Sequence, residues 1–254
     1  MKIAVRTTRN ALKVSVVLVS AVTTYASAAV VIERTRVIFP AEAPEVTIKL
    51  NNEGQSPALV RTWIDRGNPK LQPDEVDAPF LLSPPVFRMD AKKGQTLRLM
   101  YTNEALPQDR ESVFWLNVLE VPPKPAPVEG VEMNTLQFAI RSRIKIFYRP
   151  TKLAGNPSDA PDAVAWKIVR DPNSKSPVLE LSNPTPFHIS YTHIGFSAGQ
   201  FKVETEGGML NPYATTSLPL KGLPASLAQP VEVTYTSIDD LGASVEKHHS
   251  RVAQ

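Results

Sequence analysis

The chain lacks cysteine, has few glycines and contains no apolar run long enough to cross a bilayer. None of its 254 residues is cysteine and 11 are glycine. Disulfides, thiolate nucleophiles and cysteine metal sites are therefore excluded. The apolar run from Val14 to Val22 is shorter than the roughly 20 residues of a membrane helix. No block of like charge marks a surface for nucleic acid or anionic lipid, so neither is an expected partner.

The N-terminus has the features of a secretory signal. Four basic residues and no acidic one precede the apolar run, namely Lys2, Arg6, Arg9 and Lys13. The small residues Ala26-Ser27-Ala28 then fit the A-x-A cleavage rule. Residues 1–28 are predicted to be a cleavable signal peptide that exports the protein to a bacterial periplasm; the alternative is an uncleaved anchor.

Removal of this segment changes the charge balance. Subtracting its four basic residues from the 28 lysines and arginines leaves 24, against 25 aspartates and glutamates. The remaining 226 residues are enough for two domains that each bury a core.

Short alternating segments separated by turn residues indicate an all-β protein. The 24 prolines are scattered between apolar runs and read as breaks between strands. Two immunoglobulin-like β-sandwiches are predicted, over residues 29–152 and 153–254. The breaker-rich stretch from Thr151 to Pro161 would join them. The predicted strands are 30–32, 35–39, 45–50, 58–64, 80–89 (interrupted by prolines, hence an edge), 96–101, 112–121, 136–148, 165–169, 178–181, 187–191 and 231–235.

No pattern in the chain predicts catalysis. His188 lies in an alternating strand, where a structural role is expected, and no third ligand accompanies His188 and His193. His248 and His249 are expected in a solvated or disordered tail. Motifs for a nucleophile, a zinc site or a phosphate loop are missing from the sequence. No enzymatic activity, cofactor or metal is predicted.

The segment from Leu136 to Pro150 allows two interpretations. Leu136, Phe138 and Ile140 project to one face of a strand, while Arg141, Arg143, Lys145 and Arg149 share the second face. One interpretation is an ordinary strand, half-buried in the protein's own core with a solvated basic side. The other is an edge strand whose apolar side chains and free backbone groups pair with another chain.

This segment resembles the donor strand of the PapD-like periplasmic pilus-assembly chaperones. Further motifs along the chain also resemble that family and occur in the same order, so that the resemblance covers nearly the whole exported chain. They are Glu33–Phe39, Pro84–Met89, Pro107–Ser112, Ser182–Phe187 and Met209–Pro212.

The resemblance implies two immunoglobulin-like domains in an L-shape that bind pilin subunits one-to-one and deliver them to an outer-membrane usher. The residues corresponding to the family's carboxylate-binding pair are Arg36 and Lys145. Its subunit-binding donor residues correspond to Leu136, Phe138 and Ile140, and its interdomain ion network to Glu111, Arg149 and Asp240. The free protein is also expected to be able to self-associate through its apolar edge.

Two points remain open in the sequence. The stretch between Pro123 and Leu136 is longer than in short-loop members of that family, yet the missing cysteine pair favours that class, with rod-type pili as clients. Its Val128, Val131 and Met133 would extend the donor strand or lie in a mobile loop. The competing functions are a pilus subunit or surface adhesin of immunoglobulin-like domains, and a two-domain module that binds a small ligand or receptor.

Overall fold

The computed structural model describes residues 29–124, 136–171, 176–199, 201–220 and 232–249. The predicted signal peptide and Val128, Val131 and Met133 lie outside these residues. Within them the chain forms strands and one 3-10 turn, Ala160–Ala163. None of the described segments is a helix that could span a membrane.

Nine strands make up the first half of the fold. Four of them form one sheet in the order β1-β3-β7-β5, and five form the other in the order β2-β9-β8-β4-β6. The strands are β1 Val30–Ile32, β2 Arg36–Pro40, β3 Val46–Asn52, β4 Ala58–Asp65, β5 Phe80–Ser83, β6 Val86–Met89, β7 Gly94–Tyr101, β8 Ser112–Val121 and β9 Ile140–Arg149.

The two sheets enclose one apolar core. Alternate residues of each strand point inward, as a half-buried antiparallel strand requires. Phe39, Leu50, Leu97, Leu116 and Ile146 are fully buried there. The pairing of β2 with β9 is parallel, and it places Arg36 beside Lys145.

The segment from Phe80 to Met89 is not one strand, contrary to the sequence prediction. β5 pairs with β7 in one sheet, whereas β6 pairs with β4 in the other. Pro84 and Pro85 separate them because proline has no N–H to continue a ladder. Each half is an edge strand, as predicted, but the edges belong to different sheets.

The second half is a smaller sandwich of two sheets. β10-β11-β15 form one, and β13-β12-β16-β17 form the other, with β14 paired to β12. Trp166, Leu179, Ile194, Val233 and Tyr235 lie in its core. The strands are β10 Ala165–Arg170, β11 Pro177–Ser182, β12 Ile189–Ala198, β13 Phe201–Glu206, β14 Met209–Leu210, β15 Thr215–Pro219, β16 Glu232–Ile238 and β17 Ser244–His249.

The C-terminal segment with His248 and His249, expected to be solvated or disordered, has the backbone of a strand. Both belong to β17, which pairs antiparallel with β16 so that Val233 faces His249. A polar sequence can form this edge strand because its backbone hydrogen bonds to β16 do not depend on apolar side chains.

The two sandwiches touch along the turn that joins β16 to β17. Gly242 in this turn has φ +88°, and a Cβ there would lie 2.2 Å from Thr35 Oγ1 of the first sandwich. Only glycine tolerates both the backbone conformation and the close approach. The Glu111 N–H also donates to the Pro186 carbonyl, at 3.0 Å.

Candidate functional site

The first half of β9 has an open edge. Residues Lys145 to Tyr148 lie between β2 and β8, so both of their sides are paired. Residues Ile140 to Ile144 pair with β8 alone. Among the described residues no strand covers their other side, which leaves a row of backbone donors and acceptors open to a further strand.

Leu136 and Phe138 precede this edge as large apolar side chains in solvent. Their exposed fractions are 79% and 60%, while Ile140 is partly buried. The strand begins at Ile140 and not at Leu136 as predicted, because residues 136–139 pair with no described strand. Gln137 Nε2 donates to the Pro123 carbonyl at 2.6 Å. The protein's own core therefore does not take up Leu136 and Phe138.

Arg36 and Lys145 lie side by side where the open edge ends. A concavity of about 230 Å³ opens beside them. It is lined by Thr35, Arg36, Trp115, Arg143, Ile144, Lys145 and Ile238. The parallel register of β2 with β9 brings together two cations that are 109 positions apart in the sequence.

Burial lowers the pKa of Arg36, and the negative charges of Asp240, Asp239 and Glu111 offset part of that effect. Its Nη1 donates to the Ile238 carbonyl at 3.0 Å. The Nε is buried without a hydrogen-bond partner among the described residues. A donor left in this state favours an acceptor supplied from outside.

Lys145 has a pKa lowered by burial and, secondly, by the positive charge of Arg36. Its Nζ donates to Ser190 Oγ at 3.4 Å, which is a long hydrogen bond. The ion pairs of the described residues do not include Lys145. Two desolvated cations side by side can make charge-assisted hydrogen bonds to one carboxylate, which would relieve their mutual repulsion.

A buried carboxylate holds the neighbouring arginine, a feature that no sequence pattern indicated. Asp65 Oδ1 and Oδ2 accept from Arg143 at 2.5 and 3.2 Å, and Oδ2 accepts from Asn117 at 2.7 Å. Burial would raise the pKa of Asp65, but these hydrogen bonds and one from the Gly67 N–H outweigh it and lower the pKa. The Arg143 guanidinium also lies 4.8 Å from the centroid of the Trp115 ring. Arg143 is thus fixed, whereas Lys145 keeps donors free.

Glu111, Arg149 and Asp240 form one network that crosses between the sandwiches. Arg149 Nε donates to Glu111 Oε1 at 2.7 Å, and its Nη1 and Nη2 donate to the Asp240 carboxylate at 2.6 and 2.8 Å. Although burial opposes the charge, the bonds to Asp240 and the charge of Glu111 raise the pKa of Arg149. The structure brings together the three residues that the resemblance named.

His188 is a fourth member of this network, and its place there is structural. Its backbone N–H donates to Glu111 Oε2 at 2.7 Å, and its Nδ1 lies 3.3 Å from the same oxygen. Its side chain is buried and its ring contacts Phe147 of β9. Sequence reasoning foresaw a structural role for His188 but not this contact between sandwiches. The described residues contain no cluster of His, Asp and Glu that could hold a metal.

Two family descriptions cover the chain. Residues 29–154 match "Pili and flagellar-assembly chaperone, PapD N-terminal domain" and residues 159–249 match "Pili assembly chaperone PapD, C-terminal domain". The chain belongs to the PapD-like pilus-assembly chaperones. The two sandwiches are accordingly the immunoglobulin-like domains of that family in their L-shaped arrangement.

Named relatives agree with this assignment. The chain is 47% identical to the chaperone protein FimB/FhaD of Bordetella pertussis over 221 residues, which cover 85% of this chain and 86% of that one. It is 41% identical to the probable fimbrial chaperone YadV of Escherichia coli over 218 residues, which cover 85% and 87%.

Solved structures of chaperones have the same fold. The crystal structure of the YadV chaperone matches with a TM-score of 0.74 and 38% identity over 88% of this chain and all of that chain. The Salmonella enterica SafA pilin in complex with the SafB chaperone matches with a TM-score of 0.71 and 26% identity, over 90% and 99%. The chain is therefore a chaperone of pilus assembly, and the alternatives of a pilus subunit or a small-ligand module have no support.

Proposed function

We propose that this chaperone holds an unfinished pilus subunit by adding β9 to it as a strand and by binding the carboxylate at the subunit's C-terminus. The observation that carries the proposal is an open strand edge, residues 140–144, that ends at an adjacent pair of cations, Arg36 and Lys145. This function is a binding role and requires no catalytic residue.

The geometry suits an extended client segment. From Lys145 back to Leu136 is nine residues, which span about 30 Å when extended. A client strand of similar length can hydrogen bond along the open edge while its last residue lies in the concavity beside Lys145. The fixed position of the carboxylate then sets the register in which the two strands pair.

Leu136 and Phe138 supply the apolar part of the binding energy. Both are largely exposed in the free protein. Burying a side chain of this size in a partner contributes about 1.5–3 kcal/mol. Ile140 continues the same alternation and lies next to the last paired residues of β8. A subunit with an incomplete core would gain these side chains as part of that core.

Membership in this family also supports proposals about the client, the compartment and the delivery of the subunit. The Salmonella chaperone SafB is seen with its pilin SafA, which supports a pilin as the client here. We propose a one-to-one complex in the periplasm, export by the signal in residues 1–28, and delivery to an outer-membrane usher. Without a client, the open edge and the exposed Phe138 favour self-association.

Co-expression with a pilin from the same gene cluster tests the binding mechanism. We expect a one-to-one complex to co-purify from the periplasm, and Arg36→Ala or Lys145→Ala to abolish it because each variant leaves one cation for the carboxylate. Lys49→Ala is the matched control, since Lys49 is an exposed lysine on the other sheet. Circular dichroism should show all three variants folded. Capture at the wild-type level by a folded Lys145→Ala protein would contradict the carboxylate site.

A second pair of variants tests the donor residues. Phe138→Asp should prevent capture because a carboxylate cannot enter an apolar groove without a large desolvation cost. Phe201→Asp is the control, since Phe201 is also exposed but lies in the second sandwich. Equal capture by both variants would show that Phe138 does not enter the client.

A further inference from the structure

Glu120 is a carboxylate that points into the first sandwich. It lies on β8 in the alternation of the core residues Leu116 and Val118, and only 8% of it is exposed. The ion pairs found among the described residues do not include it. An inward carboxylate with no cation is costly unless its environment supplies strong donors.

Two backbone N–H groups at the start of the described chain supply those donors. Ala29 N and Val30 N each lie 2.9 Å from Glu120 Oε2. Glu120 belongs to one sheet and Val30 to the other, where Val30 pairs with Asn52 of β3. The carboxylate therefore joins the two sheets at one end of the sandwich through the first residues that follow the predicted cleavage point.

Neighbouring residues fix the position of Ala29. Its carbonyl accepts a hydrogen bond from the Glu53 N–H at 2.7 Å. A Cβ on Gly54 would come within 2.6 Å of the Ala29 Cβ, so the absence of a side chain at Gly54 makes room for Ala29. The position of the Ala29 nitrogen is thus held from two sides while it faces Glu120.

We propose that Glu120 is the binding site for the α-ammonium group that signal-peptide removal creates on Ala29. A signal peptidase would hydrolyse the Ala28–Ala29 peptide bond with one water, leaving a carboxylate on Ala28 and an amine on Ala29. An α-amine ordinarily has a pKa of about 8 and so takes up a proton near neutral pH. An amide with one N–H then becomes a cation with three, and the buried carboxylate gains its counter-ion. This inference rests on processing and is independent of how pilus subunits bind.

The consequence is that the processed chaperone is more stable than a chain still extended at Ala29. An amide N–H and an ammonium can both donate to Glu120, but a charge-assisted bond is roughly twice as strong. The contact therefore stabilises the folded protein most when cleavage occurs at this one bond, since an ammonium placed elsewhere would not reach Glu120.

A cycle of four exported proteins tests the charge at this position. The wild type and Glu120→Gln would each be made with and without a Ser-Gly insertion between Ala28 and Ala29, which moves the ammonium about 7 Å along the chain. Glutamine keeps an acceptor oxygen but no charge. We expect Glu120→Gln to raise the unfolding constant by on the order of tenfold more in the uninserted chain than in the inserted one, or ~1.4 kcal/mol of coupling. Equal effects in both backgrounds would overturn the proposal.

Glu53→Gln is the matched control because Glu53 is an exposed carboxylate next to Ala29. It should show little coupling to the insertion, as is usual for surface charges. Coupling as large as that of Glu120→Gln would mean that only general electrostatics act on the ammonium.

N-terminal sequencing and amine acylation test the contact between Glu120 and the α-amine even if Glu120→Gln does not fold. The processed wild type should begin at Ala29, and its α-amine should be acylated at least tenfold more slowly than that of the folded Ser-Gly protein. A start at any other residue, or equal acylation rates, would refute the assignment of Glu120.

Discussion

Replacing Glu111 by alanine should destabilise the contact between the two domains far more than replacing Asp240. Glu111 Oε1 accepts from Arg149 at 2.7 Å, and its Oε2 accepts from the His188 N–H at 2.7 Å. Its side chain is 2% exposed, whereas that of Asp240 is 39% exposed. Both residues therefore reach across the domain boundary, but only Glu111 does so out of contact with water.

The expected magnitudes follow from this difference in burial. Glu111→Ala leaves the Arg149 cation without its buried partner and the His188 N–H without an acceptor, and loss of one partner of a buried pair costs about 3–5 kcal/mol. Asp240→Ala removes a partner that water can replace, so about 1 kcal/mol is expected despite the two-pronged geometry. The two variants should differ by roughly 2–4 kcal/mol in the free energy of unfolding.

Urea unfolding of both variants measures this difference. Trp63 and Trp115 report on the first domain and Trp166 on the second, so fluorescence with near-ultraviolet circular dichroism follows both. We expect Glu111→Ala to split the transition into two because the domains no longer support each other. Asp77→Ala is the control, since the Asp77 side chain is 81% exposed in its pair with Arg66. The reasoning fails if Asp240→Ala costs as much as Glu111→Ala.

Three further predictions concern charge and backbone geometry. The pKa of Asp65 is lowered in the folded protein, so its contribution to the free energy of unfolding is complete above the unfolded pKa of about 3.9 and is lost as pH falls through the lower folded pKa. Acid titration of wild type and Asp65→Asn should therefore show their difference in stability shrinking below about pH 4. A stability difference that stays constant with pH would contradict this. Because the pKa of Lys145 is lowered, its positive charge should be lost, and pilin capture should weaken, as pH rises toward the ordinary lysine pKa near 10.5. In affinity measurements between pH 7 and 10, Lys145→Arg should remove most of this pH dependence. An unchanged pH profile would show that another group titrates. Gly242→Ala should lower the midpoint of urea unfolding, because φ at this position is +88° and the added Cβ would meet Thr35. Gly208→Ala, where there is open space around the added Cβ, should change the midpoint much less. Equal changes in the two midpoints would refute the packing argument.

The periodicity of the sequence was enough to predict the class of fold and most of its strands. β8 runs from Ser112 to Val121 as predicted, and β3, β4 and β7 lie within two residues of the predicted bounds. Alternation of apolar and polar residues is a local property, and it is imposed by a sheet with one buried face. β13 and β15 were missed because their side chains are mainly exposed and carry little of that pattern.

The site residues were predicted by resemblance to a family and not by pattern. Periodicity left open whether Phe138 packs in the protein's own core or is offered to a partner. The structure leaves it 60% exposed. Arg36 and Lys145 came from matched motifs, and their role in binding a carboxylate stays a prediction although the structure places them side by side.

What the sequence determined by itself was therefore local: where strands form, where prolines end them, and which residues are apolar on one side. The tertiary structure decided which strands become neighbours. It separated β5 from β6 into different sheets, opened one side of residues 140–144, and joined Asp65 to Arg143 and Arg149 to Asp240. These partners are 78 and 91 positions apart, and contacts at such separations depend on the packing of two whole sheets or two domains, which no window of the sequence contains.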